Sequence, residues 1–125
     1  MKRRDENCLN CGHRSLFVFE RSFERRRLMG KKESEFQAKL KKELKSLFPG
    51  CIVTKLDSGD IQGIPDLLIL FNDKWATLEC KKSAKASHRP NQNYYVDLMN
   101  KMSFSRFIFP ENKTEVLSEL QEVFR

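Results

Sequence analysis

Along this 125-residue chain the spacing of apolar positions changes several times, and each change marks an element. From Lys32 to Phe48, Phe36, Leu40, Leu44 and Leu47 recur every three or four residues, which predicts an amphipathic helix ended by Pro49-Gly50. Cys51 to Leu56 is rich in strand formers and predicts a first strand, with Asp57-Ser58-Gly59-Asp60 as the loop after it. Gly63-Ile64-Pro65 then breaks the chain before the apolar run Leu67 to Phe71, a pattern that predicts a buried strand. Asn72-Asp73-Lys74 supplies a turn and Trp75 to Lys81 a second strand, so the two form a hairpin. Pro90 suits the first position of a helix running over Asn91 to Met102, with Gln92, Tyr95, Val96 and Met99 along one side. Phe104 to Phe109 predicts a last strand, and Thr114 to Phe124 a helix burying Val116, Leu117, Leu120, Val123 and Phe124. The order is αβββαβα, an α/β domain with a mixed sheet flanked by helices.

The first 28 residues read differently. Eight basic residues stand against four acidic ones, so +4 of the chain's net +7 lies here. Leu16 to Phe19 predicts a short strand, and Glu20 to Leu28 is a charged segment without a clear apolar face, either a nucleic-acid-binding arm or a poorly ordered extension. Cys8 and Cys11, in Cys-x-x-Cys-Gly-His with His13, resemble half of a zinc ribbon but supply at most three of the four ligands a structural Zn²⁺ needs. The expected division is a basic extension over 1–28 and a globular domain over 29–125, with Met29 as an alternative start.

Length and charge narrow the possibilities further. A chain of this size makes one modest core. No apolar run approaches the ~18 residues of a membrane span, and no apolar signal core follows the basic start. A cytoplasmic protein with no membrane partner is the expectation. The excess of positive charge points to a polyanion, with nucleic acid first. Cys51 and Cys80, in predicted strands, read as small buried hydrophobes rather than a disulfide pair.

The chemistry gathers at the hairpin. Alternation puts Trp75, Thr77, Glu79 and Lys81 on one face and Ala76, Leu78 and Cys80 on the other. An antiparallel hairpin brings Asp66, before its first strand, close to Glu79 near the end of its second. Two adjacent carboxylates repel unless a proton or cation lies between them. A hard ion such as Mg²⁺ is the natural occupant, and Lys81 can then orient a water or stabilise charge on an attacked phosphate. Glu79 and Lys81 alone would be a common surface ion pair. Asp60 is a further carboxylate, though a loop aspartate is more often a turn former. Lys82, Lys85, His88 and Arg89 follow Lys81 without an intervening acid and predict a phosphate-gripping loop, the alternative being a solvated one. Tyr94 or Tyr95 is available to stack on a base, with core packing the competing role.

Pro65-Asp66, twelve residues, then Glu79-Cys80-Lys81 resembles the signature of the PD-(D/E)xK nucleases, and Gly63-Ile64-Pro65-Asp66-Leu67-Leu68 resembles the VRR-NUC branch (virus-type replication-repair nucleases). The resemblance runs from about Lys32 to Phe124, and the αβββαβα order agrees with the restriction-endonuclease-like core of that family. It implies Mg²⁺-dependent phosphodiester cleavage, with Mn²⁺ as a substitute. The implied metal ligands are Asp66, Glu79 and the backbone carbonyl of Cys80, with Lys81 near the attacking water and Gln92 supporting the site. The family also takes a carboxylate from its first helix. At about 100° per residue, Glu33 falls within the apolar stripe while Glu35 falls on the solvent side with Lys39 and Lys42, so Glu33 is the expected one, joined at i+4 by Gln37. The bland role for Glu33 is a partner for the helix dipole. The function expected from all this is a DNA endonuclease, structure-selective and active as a homodimer on branched or junction DNA in replication, recombination or repair. Its rivals are a non-catalytic basic nucleic-acid-binding module and a restriction- or transposition-type subunit that needs a partner.

Overall fold

The computed structural model describes the backbone of residues 17–125 and the side chains from residue 32 onward. Seven elements follow in the order α1 (Phe17–Leu47), β1 (Ile52–Lys55), β2 (Leu67–Phe71), β3 (Lys74–Cys80), α2 (Pro90–Met102), β4 (Ser105–Ile108) and α3 (Lys113–Val123). Residues from Lys32 to Arg125 make one compact unit. The expected αβββαβα order is observed.

One expectation is overturned upstream. The strand expected from Leu16 to Phe19 is not formed over Phe17 to Phe19, where the backbone is already helical, and the charged segment from Glu20 to Leu28 continues that helix. The reason is local: Glu, Arg, Leu and Met are strong helix formers, and no proline interrupts them before Pro49. The helix ends where Phe48 donates to the Leu44 carbonyl and Gly50 takes a positive φ of 89°. Cys8, Cys11 and His13 lie outside the described residues.

The sheet has the order β1-β2-β3-β4, antiparallel up to β3 and parallel between β3 and β4. The β2–β3 hairpin closes with Phe71 opposite Lys74 across Asn72-Asp73, and Asn72 takes the positive φ of 56° that asparagine tolerates better than most side chains. Leu67 pairs with Leu78 and Ile69 with Ala76, so these residues share one face and, with Cys80 and Ile108, form the middle of the core. Leu40 and Leu44 of α1 and Val116, Leu117 and Leu120 of α3 belong to the same buried cluster. At the turn end of the hairpin Phe48, Phe71 and Phe124 pack with ring centroids 5.0–5.6 Å apart. Two residues expected in the core, Leu47 and Val123, are each 37% exposed. Both stand at the C-terminal end of their helices, where Phe48 and Phe124, one residue further on, take the buried place.

The other face of β3 meets α2. Thr77 donates a 2.8 Å hydrogen bond to Ser105 Oγ on the neighbouring strand and lies against Met99 Sδ, and Val96 is buried. Strand β3 is thus covered on both sides, and from Ala76 to Cys80 it has no solvent-facing residue. The polar face read from alternation is a buried polar face.

Candidate active site

Asp66 stands just before β2, and its position is set by the turn ahead of it. Gly63 has φ of 93°, and a Cβ there would overlap the side chain and backbone of Asn91 in the first turn of α2. Asn91 in turn donates to the Gln62 carbonyl at 3.5 Å. Pro65 is fully buried, and the Asp66 carbonyl accepts from Leu56 N–H at 2.9 Å. The carboxylate then reaches across to β3, where Oδ2 accepts the Cys80 N–H at 3.1 Å. The Gln37 side chain of α1 also helps hold the Asp66 carboxyl down.

Glu79 is 3% exposed and Lys81 8%. Between them stands Gln92, the third residue of α2. Its Nε2 donates to Glu79 Oε2 at 2.8 Å, and its Oε1 accepts from Lys81 Nζ at 2.7 Å and from Arg89 N–H at 3.1 Å. The same amide therefore caps α2 and joins the acid to the base. Lys81 Nζ lies 3.9 Å from Glu79 Oε2. The second oxygen, Glu79 Oε1, is buried without a hydrogen-bond partner.

Electrostatics follow from this burial. Loss of water pushes Glu79 up to about 8, Asp66 and Glu33 add to the rise, and Lys81 opposes it. Burial also raises Asp66, against the Cys80 N–H bond and the charges of Lys55 and Lys81. Glu33 is raised first by burial and then by Asp66. Glu33 is half-buried and within electrostatic reach of Asp66 and Lys81, whereas Glu35 is exposed. The structure thus brings together Asp66, Glu79, Lys81 and Gln92, with Glu33 lining one cleft with Lys81.

Two open clefts border the group. One, about 460 Å³, is lined by Gly63, Asp66, Arg89 and Gln92 among others. The second, about 550 Å³, is lined by Glu33, Lys81, Lys82, Ser83, Lys85, Ala86 and Ser87. Lys82 is half-buried, Lys85 and Arg89 are exposed, and His88 stacks on Phe107 at 4.0 Å with Nδ1 3.3 Å from Asn93 Oδ1. Asp60 is exposed in a turn built by Asp57, whose Oδ1 accepts from Gly59 N–H. Tyr94 is 60% exposed and Tyr95 half-buried.

Sequence patterns gave no sign of Lys55, which acts on Asp66 from the end of β1. The signal for Gln37 was its place four residues after Glu33 on the inward stripe. Among the described residues no group of three or more His, Cys, Asp or Glu side chains is arranged to hold a metal ion. The acidic centre is the pair Asp66 and Glu79, with Glu33 beside it.

No family model matches the sequence, and no curated protein does. A solved structure described as "VRR_NUC domain" superposes with a TM-score of 0.57 at 24% identity, over 75% of this chain and 98% of its own. That likeness shows that the chain shares the fold of that domain. Among the described residues no helix is long and apolar enough to cross a membrane.

Proposed function

We propose that this protein is a Mg²⁺-dependent DNA endonuclease, with Mn²⁺ as a substitute, that hydrolyses phosphodiester bonds. The observation that carries the reading is Glu79 Oε1, a buried carboxylate oxygen without a partner, in a side chain whose neighbours include Asp66 and Lys81. Such an atom is costly unless something compensates it. Mg²⁺ binds through one or two carboxylates and keeps several waters, so a full protein cage is not required. Asp66, Glu79 and the Cys80 carbonyl would hold the ion, and Glu33 would accept from its waters. When bound, it would supply charge neutralisation at the phosphate and a more acidic water.

The chain's own groups have separable roles. Gln92 takes one of the three N–H donors of Lys81 and fixes where the ammonium stands, leaving two for a phosphate oxygen or the attacking water. Lys82, Lys85 and Arg89 line the flanking clefts and grip phosphate, as His88 does from its seat on Phe107. Residues 29–125 make the nuclease domain and 1–28 a basic extension, with Cys8, Cys11 and His13 as a candidate partial zinc site. The substrate class is branched or junction DNA in replication, recombination or repair, cut by a homodimer whose two-fold axis matches two strands.

The test is a panel of flaps, junctions, single strands and duplexes incubated with and without Mg²⁺. Cleavage that needs the ion supports the proposal. Tight DNA binding without cleavage of any member in Mg²⁺ or Mn²⁺ makes the protein a nucleic-acid-binding module instead.

A further inference from the structure

A third cleft, about 370 Å³, lies between α1 and β1 and is lined by Ser34, Gln37 and Ala38 together with Lys41, Lys42, Lys45 and Lys55. The substrate-gripping loop after β3 does not include it. No carboxylate lines it, and none among the described residues pairs with these four lysines. The one α1 carboxylate between them in sequence, Glu43, is bound to Lys113 at 2.9 Å. Lys41 and Lys45 stand at i and i+4, where like charges repel and weaken a helix. A surface that gathers four ammonium groups with no carboxylate partner among the described residues, against this repulsion, fits a polyanion.

The cleft also lies beside the segment that carries Asp66. Lys55 lines it, and the next residue, Leu56, donates its N–H to the Asp66 carbonyl at 2.9 Å. Lys82 and Lys85 instead share their cleft with Glu33 and Lys81. Two separate basic surfaces therefore adjoin one site. Surfaces that hold single strands combine basic groups with aromatic rings on which bases stack. The α1–β1 cleft has no aromatic residue in its lining.

We infer that this lysine cleft binds the phosphate backbone of a DNA duplex, separately from the Lys82–Arg89 loop, and holds the arm that continues past the cut. The inference rests on the nuclease reading and adds to it that the preferred substrate has duplex on both sides of the cut bond.

The test is a salt titration of duplex binding by the full chain without divalent ions, so that no cutting occurs. Each phosphate contact contributes about 0.9 to the slope of log K against log salt. Replacing Lys41, Lys42 and Lys45 together by alanine is expected to reduce that slope by about 2 to 3, while Lys101→Ala, on exposed α2, leaves it unchanged. The single variants Lys45→Ala and Lys55→Ala each reduce it by about 1 and cover the case of a misfolded triple variant. Acetylation footprinting of the unaltered protein should show Lys41, Lys42, Lys45 and Lys55 protected by duplex. An unchanged slope, equal acetylation with and without duplex, or an equal loss of single-strand affinity overturns the inference. A wild-type protein that cuts nothing in Mg²⁺ overturns the nuclease reading instead, and the slope still decides the cleft.

Discussion

Lys81 Nζ and Glu79 Oε2 are 3.9 Å apart, and the Gln92 amide occupies the position that a direct ion pair would close. A neutral side chain donates to the acid and accepts from the base. The two charges stay separately available, which suits a site where one must meet a cation and the other an anion.

The first prediction concerns that bridge. Gln92→Ala frees Lys81 to swing onto Glu79 and leaves the Arg89 N–H without its cap. Cleavage should fall on the order of 100-fold, the scale of a small misplacement of reacting groups. DNA affinity should change little. Single-turnover rates and binding isotherms on one substrate check both.

Glu79→Gln should abolish Mg²⁺-supported cleavage while keeping or strengthening DNA binding, since a carboxylate facing phosphate is removed. Its effect on stability has the opposite sign. Burial raises the folded Glu79 to about 8, above its ordinary 4.5, so between those values the folded state holds a proton that the unfolded state has lost. Stability without divalent ions is therefore full below about pH 4.5 and falls as pH rises to about 8, by at most ~1.4 kcal/mol per pH unit. Thermal melts across that range should show the fall in wild type and a shallower one in Glu79→Gln.

On α1 the two glutamates should behave differently. Glu33→Ala is expected to lower cleavage by at least ~100-fold, the low end for losing a group that positions water or a proton. Glu35→Ala, at an exposed position, should change it little. Equal rates for the two variants would remove Glu33 from the site.

Gly63→Ala tests how the acidic centre is placed. The added Cβ meets Asn91 and forces a side chain into a positive φ, a strain of ~1–3 kcal/mol. Because this turn carries Asp66 and Asn91 belongs to the helix that carries Gln92, activity should fall more than melting temperature. A comparison of Tm with cleavage rate for this variant and for Gly59→Ala, in an exposed turn, separates local placement from general instability.

Much of this was decided locally and could be read in sequence. The αβββαβα order followed from apolar period, from Pro49-Gly50 and from Asn72-Asp73, because turns and caps act over a few residues. Strand alternation put Glu79 and Lys81 on one face, and helical period put Glu33 inward and Glu35 outward. Local patterns failed where competition between neighbours decides: Leu47 and Val123 fit their apolar stripes, but Phe48 and Phe124 fill the same space. The strand expected at Leu16 to Phe19 lost, over Phe17 to Phe19, to a helix propagating through residues without a breaker.

What only the tertiary structure decided is what each charged group meets. The burial of β3 on both faces, which makes Glu79 costly and raises its pKa, depends on helices far away in sequence. The capping amide of α2 that bridges Glu79 and Lys81, the turn glycine fitted against Asn91, and the four lysines brought together from α1 and β1 all depend on packing between distant segments. Sequence fixes which groups a short segment presents. Desolvation, charge coupling and close approach arise only between segments, so only the folded chain sets them.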